Sequence, residues 1–289
     1  MKLARFGEPG AERPGVILAD GTRVDASAAL PDYDETFFET DGLTRLRAWV
    51  DRHAATATRV AGDVRLGPPV RRPSKIVCIG LNFRDHAAET GMTLPKEPLM
   101  FLKAPTALAG PNDPVVMPRG GTKLDWEVEL AIVIGRTARY VPASEALSYV
   151  AGYVLFNDYS ERAFQLERGG QFVKGKSADS FAPLGPYLAT RDEIGDSRNL
   201  GMWLTVNGEV RQKSTTANMV FDVPALVSYV SDFMTLVAGD VLTTGTPAGV
   251  ALGMKPEPIY LKPGDEVALG IDGLGEQRQR VVAYRTAKQ

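Results

Sequence analysis

The residues best suited to chemistry lie between Lys123 and Gly135, where two residue types alternate. The apolar positions are Trp126, Val128, Leu130, Ile132 and Ile134, and the acidic positions are Asp125, Glu127 and Glu129. Because residues two apart share a face of a strand, the pattern predicts a strand with one apolar face and one face of carboxylates. Two interpretations stay open: the acidic face is solvated, as on many half-buried strands, or its oxygens hold a divalent metal.

Two further groups could join such a site. Asp158 ends the predicted strand 151–158, which makes it a natural third ligand beside Glu127 and Glu129. His86 and Glu89 are three residues apart in a helix-like segment that follows the predicted strand 75–80, so they share a helical face. A carboxylate beside an imidazole orients it as a general base for water. The alternative for this pair is a solvated histidine with an ordinary acidic neighbour.

Composition excludes several classes of protein. With 33 basic and 35 acidic residues the net charge is -2, which favours neither nucleic acid nor an anionic membrane as a partner. Only His53 and His86 are present, so a zinc site built on several histidines is excluded and any metal must be held by oxygen. The single cysteine, Cys78, lies in an apolar run and predicts a buried thiol rather than a disulfide. The chain has no signal-peptide pattern at its start and no long apolar run, which predicts a cytoplasmic, soluble protein.

The order of elements predicts two parts. Residues 1–72 predict a small α+β N-terminal domain with a linker, because prolines cluster between Leu66 and Pro73. Residues 73–289 predict a larger, mainly β domain with few helices and a curled, mostly antiparallel sheet. Within these parts we expect helices over 42–56, 140–150 and 223–234, and a hairpin over 200–211 with an Asn-Gly turn. Asn82 is a possible cap for the helix that carries His86, and Gly91 a plausible terminator.

One motif points to a different class of protein. Residues 170–177 match the phosphate-loop pattern G-x-x-x-x-G-K-S, which predicts nucleotide binding through Lys176. That pattern works only with a buried strand directly before it and a helix directly after it. A charged, helix-like segment precedes it here, and Pro183 and Pro186 follow, so the context argues against a phosphate loop.

The ordered series of motifs between residues 70 and 285 resembles the fumarylacetoacetate hydrolase family. The motifs are Ile79-Gly-Leu-Asn-Phe-Arg-Asp-His86, Asp125-Trp-Glu-Val-Glu-Leu130, Asn157-Asp158, Lys176-Ser177, Val206-Asn-Gly208 and Leu242-Thr-Thr-Gly-Thr-Pro247. The resemblance implies a mixed β-sandwich roll, a homodimer, and Mg²⁺ or Mn²⁺ bound by Glu127, Glu129 and Asp158. It further implies that His86 with Glu89 activates water.

The resemblance also implies roles for residues around the metal. The resemblance implies that Lys176 and Gln165 face the substrate, where they would stabilise an oxyanion. We assign Arg162, Lys103 and Thr246 as candidate substrate-binding residues. Arg162 lies in the helix-like segment 160–170, Lys103 ends the predicted strand 98–103, and Thr246 lies in the Gly/Pro turn of 241–250, which could bind a carboxylate.

The finer match is carried by residues 157–168 together with Lys174-Gly-Lys176. It resembles members that hydrolyse 2,4-diketo-3-deoxy sugar acids such as the L-rhamnonate or L-fuconate derivatives. The expected reaction is hydrolysis of a carbon–carbon bond in a small diketo acid, giving pyruvate and a hydroxy acid such as lactate. Relatives with the same metal site split acylpyruvates, decarboxylate oxaloacetate or are named ureidoglycolate lyases, and these activities remain alternatives. A catalytically inactive binding protein is a third possibility, against which the intact set of site residues argues.

Overall fold

The computed structural model describes residues 1–285. Its twenty strands, in chain order, are β1 Lys2–Phe6, β2 Arg13–Ile17, β3 Arg23–Asp25, β4 Arg59–Val60, β5 Leu66–Gly67, β6 Ile76–Gly80, β7 Leu99–Lys103, β8 Leu108–Ala109, β9 Val115–Val116, β10 Leu124–Asp125, β11 Val128–Ile134, β12 Val150–Asn157, β13 Ser160–Glu161, β14 Ala182–Pro183, β15 Leu188–Thr190, β16 Gly201–Val206, β17 Glu209–Thr215, β18 Val241–Thr243, β19 Glu266–Ile271 and β20 Gly275–Val282.

The helices of this part of the chain are few and short. The α-helices are α1 Glu35–Glu39, α2 Gly42–His53, α3 Arg84–Thr90, α4 Arg162–Leu166, α5 Val173–Lys176, α6 Arg191–Ile194 and α7 Val223–Phe233. The 3₁₀ helices are Pro105–Ala107, Ala146–Tyr149, Ser197–Asn199, Thr216–Asn218 and Ala251–Gly253. The prediction of a mainly β fold with few helices is confirmed. None of the helices in residues 1–285 combines the length and apolar character needed to cross a bilayer.

Two large sheets form the body of the molecule. The first has eleven strands, in the order β4-β3-β2-β1-β15-β12-β11-β18-β6-β7, with β5 paired to β1. The second has five strands, in the order β17-β16-β19-β20-β9. Strands β16 and β19 pack against β11, and β20 packs against β12, so the second sheet covers the middle of the first. The core lies between the two sheets, as in other layered β folds.

Strand β11 lies inside the large sheet, between β12 and β18. Every residue of β11 and of β12 is buried. The alternation rule correctly predicts a strand here, but a solvated acidic face is excluded: Asp125 is 0% exposed, Glu127 6% and Glu129 1%. Such buried carboxylates require compensating charge.

The N-terminal strands continue the large sheet. Lys2 of β1 pairs with Ala189 of β15, and Arg5 pairs with Gly67 of β5. The proline-rich stretch after Leu66 is buried as far as Val70. The boundary at residue 72 stays a prediction, and the second predicted domain includes residues 286–289, which lie outside the described residues.

Several local predictions can be compared directly. Helices α2 and α7 and the β16–β17 hairpin lie where the sequence predicts them, and Asn207 and Gly208 have φ values of 52° and 80°, as a tight hairpin turn requires. The helix predicted over 140–150 is wrong: only the 3₁₀ helix Ala146–Tyr149 forms. Asn82 does not cap α3, because its side chain bonds Phe221 and the Thr244 carbonyl oxygen instead.

Candidate active site

Five strand termini meet at one edge of the large sheet. Strands β6, β12 and β18 end there, and β7 and β11 begin there, because β18 runs antiparallel to β11 and parallel to β6. Val128, the first residue of β11, pairs with Asn157, the last residue of β12. The Asp158 N–H donates to the Glu127 carbonyl oxygen at 2.9 Å. The pairing register therefore places Asp158 beside the acidic residues of the next strand.

Three carboxylates converge at this edge. One oxygen from each of Glu127, Glu129 and Asp158 lies within 4.8 Å of the others, and all three residues are buried. The Lys176 ammonium group bonds Glu127 Oε2 at 2.8 Å and Asp158 Oδ2 at 2.7 Å. The other Asp158 oxygen, Oδ1, accepts from Lys103, which also donates to the Tyr159 carbonyl oxygen at 3.0 Å.

Arg162 fixes the outer side of Glu127. Its Nη2 donates to Glu127 Oε1 at 2.5 Å, and its Nε donates to Asp125 Oδ2 at 2.8 Å. Burial opposes ionisation of Glu127, but the charges of Lys176 and Arg162 outweigh burial and lower the pKa of Glu127 to about 2. Glu127 is therefore an anion held at both of its oxygens.

Glu129 differs from its two neighbours. Its Oε2 accepts from the Gly245 N–H at 3.0 Å, and no lysine or arginine within residues 1–285 forms a salt bridge with it. Burial, and next the negative charges of Asp158 and Glu127, raise the pKa of Glu129 well above its usual value. A buried carboxylate in this state is a site where additional positive charge would be stabilising.

The charge balance of the cluster supports a metal. Four buried carboxylates, those of Asp125, Glu127, Glu129 and Asp158, face three buried cations, those of Lys103, Arg162 and Lys176. The three carboxylates that converge offer hard oxygen ligands, and one of them lacks a cationic partner. This donor set fits a divalent cation that prefers oxygen, such as Mg²⁺ or Mn²⁺.

His86 and Glu89 lie together on α3, as their spacing predicts. His86 Nδ1 is 3.4 Å from Glu89 Oε2. The Gly249 N–H donates to the Glu89 carboxylate at 3.0 and 3.1 Å, and Gly253 packs directly against it. Glu89 is thereby held from two sides, and it fixes Nδ1 of the imidazole. The other ring nitrogen, Nε2, remains available to a ligand.

A cavity of about 260 Å³ opens over the cluster. Seven of the predicted site residues line it: His86, Glu127, Glu129, Arg162, Gln165, Lys176 and Thr246. Glu89 and Asp158 stand behind this lining and contact His86 and Lys176. Most of the remaining lining is apolar, which the sequence reasoning did not anticipate.

Three assigned substrate-binding residues are occupied by protein contacts. Lys103 is 1% exposed, binds Asp158 and does not line the cavity, so its placement fits positioning of Asp158 rather than contact with a substrate. Arg162 lines the cavity, but its guanidinium binds Asp125, Glu127 and Gln165. The Thr246 hydroxyl donates to the Val128 carbonyl oxygen at 3.0 Å and accepts from Gln212 at 2.8 Å.

Two residues, Asp125 and Gln212, have supporting roles that the sequence did not predict. Asp125 accepts from the Ala251 and Leu252 N–H groups at 2.8 and 3.1 Å, so it ties the loop after residue 249 to Arg162. Gln212, on β17, accepts from the Val128 N–H at 2.9 Å and anchors Thr246. The alternation places Asp125 on the acidic face but does not show this role, and no local signal marks Gln212.

The phosphate-loop interpretation does not fit the structure. Residues 170–177 follow α4 and a turn rather than a buried strand, and their helical part is the four-residue α5. No helix follows directly, since the next element is β14. Lys176 bonds two carboxylates, which is the opposite of a phosphate environment.

A mainly β fold that carries a buried set of carboxylate ligands for a divalent metal defines the class of this protein, and the comparisons name the family. The chain belongs to the fumarylacetoacetate hydrolase family: the family model "Fumarylacetoacetate (FAA) hydrolase C-terminal" matches residues 75–282. A Burkholderia multivorans protein whose name gives hydrolase and no substrate is 51% identical over 99% of this chain and 100% of its own length.

Two solved structures extend the comparison. Maleylpyruvate hydrolase from Sphingobium sp. SYK-6, in complex with manganese(II) and pyruvate, is 32% identical with a TM-score of 0.82, over 99% of this chain and 100% of that chain. 5-Carboxymethyl-2-hydroxymuconate delta-isomerase from Mycobacterium smegmatis is 33% identical with a TM-score of 0.78, over the same shares. Similar folds therefore serve a hydrolase and an isomerase.

Proposed function

We propose that this protein is a divalent-metal-dependent hydrolase that cleaves a 2,4-diketo acid to pyruvate and a carboxylic acid. One observation carries the proposal: the Glu127, Glu129 and Asp158 cluster and the His86–Glu89 pair meet at a single cavity. The similar maleylpyruvate hydrolase, which binds manganese and pyruvate, supports the same reaction class. For the physiological metal we propose Mg²⁺ or Mn²⁺.

The metal would be held by Glu127, Glu129 and Asp158. There it would polarise the oxygens of the diketo acid and offset the negative charge that develops during cleavage. Arg162 and Lys103 hold the outer oxygens of Glu127 and Asp158, so these carboxylates are oriented before any ligand arrives.

His86 would act as the general base. Its Nδ1 faces Glu89, so Nε2 is left to take a proton from a water molecule in the cavity. The water oxygen forms a bond to C4 of the substrate, the C3–C4 bond breaks, and its electron pair passes to C3. Protonation of C3 gives the methyl group of pyruvate, and C4 becomes the carboxylate of the second product.

Gln165 and Lys176 would stabilise the oxyanion at C4. Arg162 Nη1 donates to Gln165 Oε1 at 3.0 Å, which orients the amide and leaves its NH₂ group as a donor to a substrate oxygen. Lys176 adds a fixed positive charge, because burial is outweighed by Asp158 and Glu127 and its pKa is raised. Both side chains line the cavity.

The substrate within this class is the finer part of the proposal. The motifs over 157–168 and 174–176 favour a 2,4-diketo-3-deoxy sugar acid related to L-rhamnonate or L-fuconate, which would give lactate as the second product. An acylpyruvate is the alternative, and oxaloacetate decarboxylation or ureidoglycolate lysis on the same site are others. An isomerase is the second functional class, because the similar muconate isomerase shares the fold.

The test is pyruvate release in H₂¹⁸O, with Mg²⁺ or Mn²⁺ and with a chelator. The substrates are acetylpyruvate, a 2,4-diketo-3-deoxy sugar acid, maleylpyruvate and oxaloacetate. Hydrolysis releases a second carboxylic acid with ¹⁸O in its carboxylate, whereas decarboxylation releases CO₂ and no second acid, and isomerisation releases no pyruvate. If none of the diketo acids yields pyruvate with either metal, the proposed function is wrong.

Two variants test the assigned base. His86→Gln should lower kcat roughly 100- to 10,000-fold, because a positioned base is lost. Glu89→Gln should impair diketone hydrolysis and spare any decarboxylation, which needs no attacking water. The matched control is His53→Gln, since His53 is an exposed histidine on α2 that does not line the cavity. Near-normal hydrolysis by His86→Gln would show that another group activates water.

A further inference from the structure

The cavity has an apolar wall opposite its charged base. We define this apolar wall as Met92, Leu99, Phe101, Leu166, Phe172 and Leu252, all of which line the cavity. Three of them stand at its mouth with unusual exposure for large apolar side chains: Met92 is 52% exposed, Leu99 40% and Leu166 46%. Apolar side chains gathered at the mouth of a cavity are typical of a ligand site.

The wall begins next to the reacting groups. Lys176 Nζ lies 5.1 Å from the centre of the Phe101 ring. The Phe172 ring packs edge-on against Phe101, with centroids 5.6 Å apart and an interplanar angle of 68°. An acyl group that extends along the apolar wall from C4 of a substrate at Lys176 would therefore contact Phe101, with Phe172 beside it.

The cavity offers no uncommitted cation to a second acidic group. Among the described residues its lining contains Arg162 and Lys176, and both are engaged. Arg162 binds Asp125 and Glu127, and Lys176 binds Glu127 and Asp158 or, with a metal on those carboxylates, the oxygen at C4 of the substrate. A carboxylate placed along the apolar wall would lose its hydration without gaining a counter-ion, which is strongly unfavourable. The hydroxyl group that the sugar acid carries beyond C4 would lose its hydration in the same way.

From this arrangement we infer that the enzyme selects diketo acids whose group beyond C4 is uncharged and apolar, and that Phe101 and Phe172 determine this selectivity. The inference rests on the proposed function and deepens it. Of the substrates proposed above, it selects the acylpyruvate over the sugar acid that the sequence motifs favour, and it disfavours dicarboxylic substrates such as maleylpyruvate. Because the cavity of about 260 Å³ is small, the preferred acyl group has only a few carbons.

The first test is an acyl series. We expect kcat/KM to rise about 3- to 4-fold per methylene from acetylpyruvate to butanoyl- and hexanoylpyruvate, until the cavity is full. Each hydroxyl group buried without a partner should lower kcat/KM by a factor of about 5 to 150. A flat series, or a preference for the sugar acid or maleylpyruvate over hexanoylpyruvate, would overturn the inference while leaving the proposed function intact.

A binding test separates the inference from catalysis. 2-Oxo acids without a carbonyl at C4 cannot be cleaved, so their affinities can be measured by calorimetry. We expect 2-oxoheptanoate to bind at least 10-fold more tightly than 2-oxoadipate, whose far end is charged. Equal affinities, or tighter binding of 2-oxoadipate, would refute the apolar selectivity even if no diketo acid is hydrolysed.

Two substitutions locate the selectivity. Phe172→Ala should flatten the acyl series, so the ratio of kcat/KM for hexanoylpyruvate to that for acetylpyruvate falls by about 10-fold. Phe172→Arg should weaken the binding of 2-oxoheptanoate and strengthen the binding of 2-oxoadipate, because the arginine supplies the missing cation. The control is Phe233→Ala, since Phe233 is 60% exposed and lies at the end of α7, outside the cavity lining. If Phe172→Ala and Phe233→Ala give the same ratio, the wall does not select the substrate.

Discussion

A methyl group added at Gly253 should test how Glu89 controls His86. An ideal Cβ at this position would lie 2.5 Å from both Cδ and Oε2 of Glu89, whereas ordinary contacts are 3.4–4 Å. The backbone of Gly253 does not have positive φ, so alanine itself is not strained there. The Glu89 carboxylate is the end of a flexible side chain and must therefore move by about 1 Å to restore normal contact.

The displacement should cost activity more than stability. It weakens the bonds from the Gly249 N–H to Glu89, a loss of about 1–3 kcal/mol for a charged acceptor. It also moves Glu89 away from His86 Nδ1, and a 1 Å misplacement of catalytic geometry can lower the rate about 100-fold. We therefore expect Gly253→Ala to reduce kcat about 100-fold and the Tm by only a few degrees.

The assay is pyruvate release from acetylpyruvate at saturating metal, with thermal unfolding in parallel. Gly62→Ala is the matched control, because Gly62 has no atom within 4 Å of an added Cβ and no positive φ. In a double-mutant cycle with Glu89→Ala, the two losses should be strongly non-additive, since both act through one carboxylate. Additive losses, or an unchanged kcat in Gly253→Ala, would refute the positioning role of Glu89.

The charged cluster yields two further predictions. Arg162→Met should lower the free energy of unfolding in urea by about 3–5 kcal/mol, because it leaves Asp125 buried without a counter-ion and Glu127 with Lys176 as its remaining cation. Arg198→Met, at an exposed ion pair, should cost under about 1 kcal/mol, and equal losses would contradict this account. Mn²⁺ at a hundredfold excess over its Kd should stabilise the wild-type protein by about 3 kcal/mol in thermal unfolding, and Glu129→Gln should remove most of that gain. The exposed Glu209→Gln should retain the gain, and a full Mn²⁺ response in Glu129→Gln would exclude Glu129 as a ligand.

Sequence periodicity predicted which residues share a face but could not say what covers that face. The alternation from Trp126 to Ile134 correctly predicts the strand Val128–Ile134, yet the acidic side is buried because distant groups, those of Arg162, Lys176 and the Ala251 backbone, cover it. Local spacing was sufficient for His86 and Glu89, since both lie on one short helix. Asp158 was predictable as well, because it follows directly on a strand with clear apolar character.

Contacts that depend on register between distant segments could not be predicted. Gln212 reaches Val128 and Thr246 only because the β16–β17 hairpin is placed against the large sheet. The apolar wall draws residues from four separate segments, none of which has a distinctive pattern by itself. Lys103 was assigned to the substrate because it ends a predicted strand, but its ammonium group is buried against Asp158, a contact between distant segments that no local pattern shows.

The three buried cations of the site bind different oxygens of the Glu127 and Asp158 carboxylates. Arg162 binds Glu127 Oε1 and Lys103 binds Asp158 Oδ1, so each takes the outer oxygen of its carboxylate. Lys176 binds the inner oxygens, Glu127 Oε2 and Asp158 Oδ2. The Gly245 N–H likewise takes one oxygen of Glu129 and leaves the other. The outer contacts do not compete with a ligand at the inner oxygens. A metal that replaces Lys176 at those oxygens would therefore leave Arg162 and Lys103 in place to orient the two carboxylates, as a preorganised metal site requires.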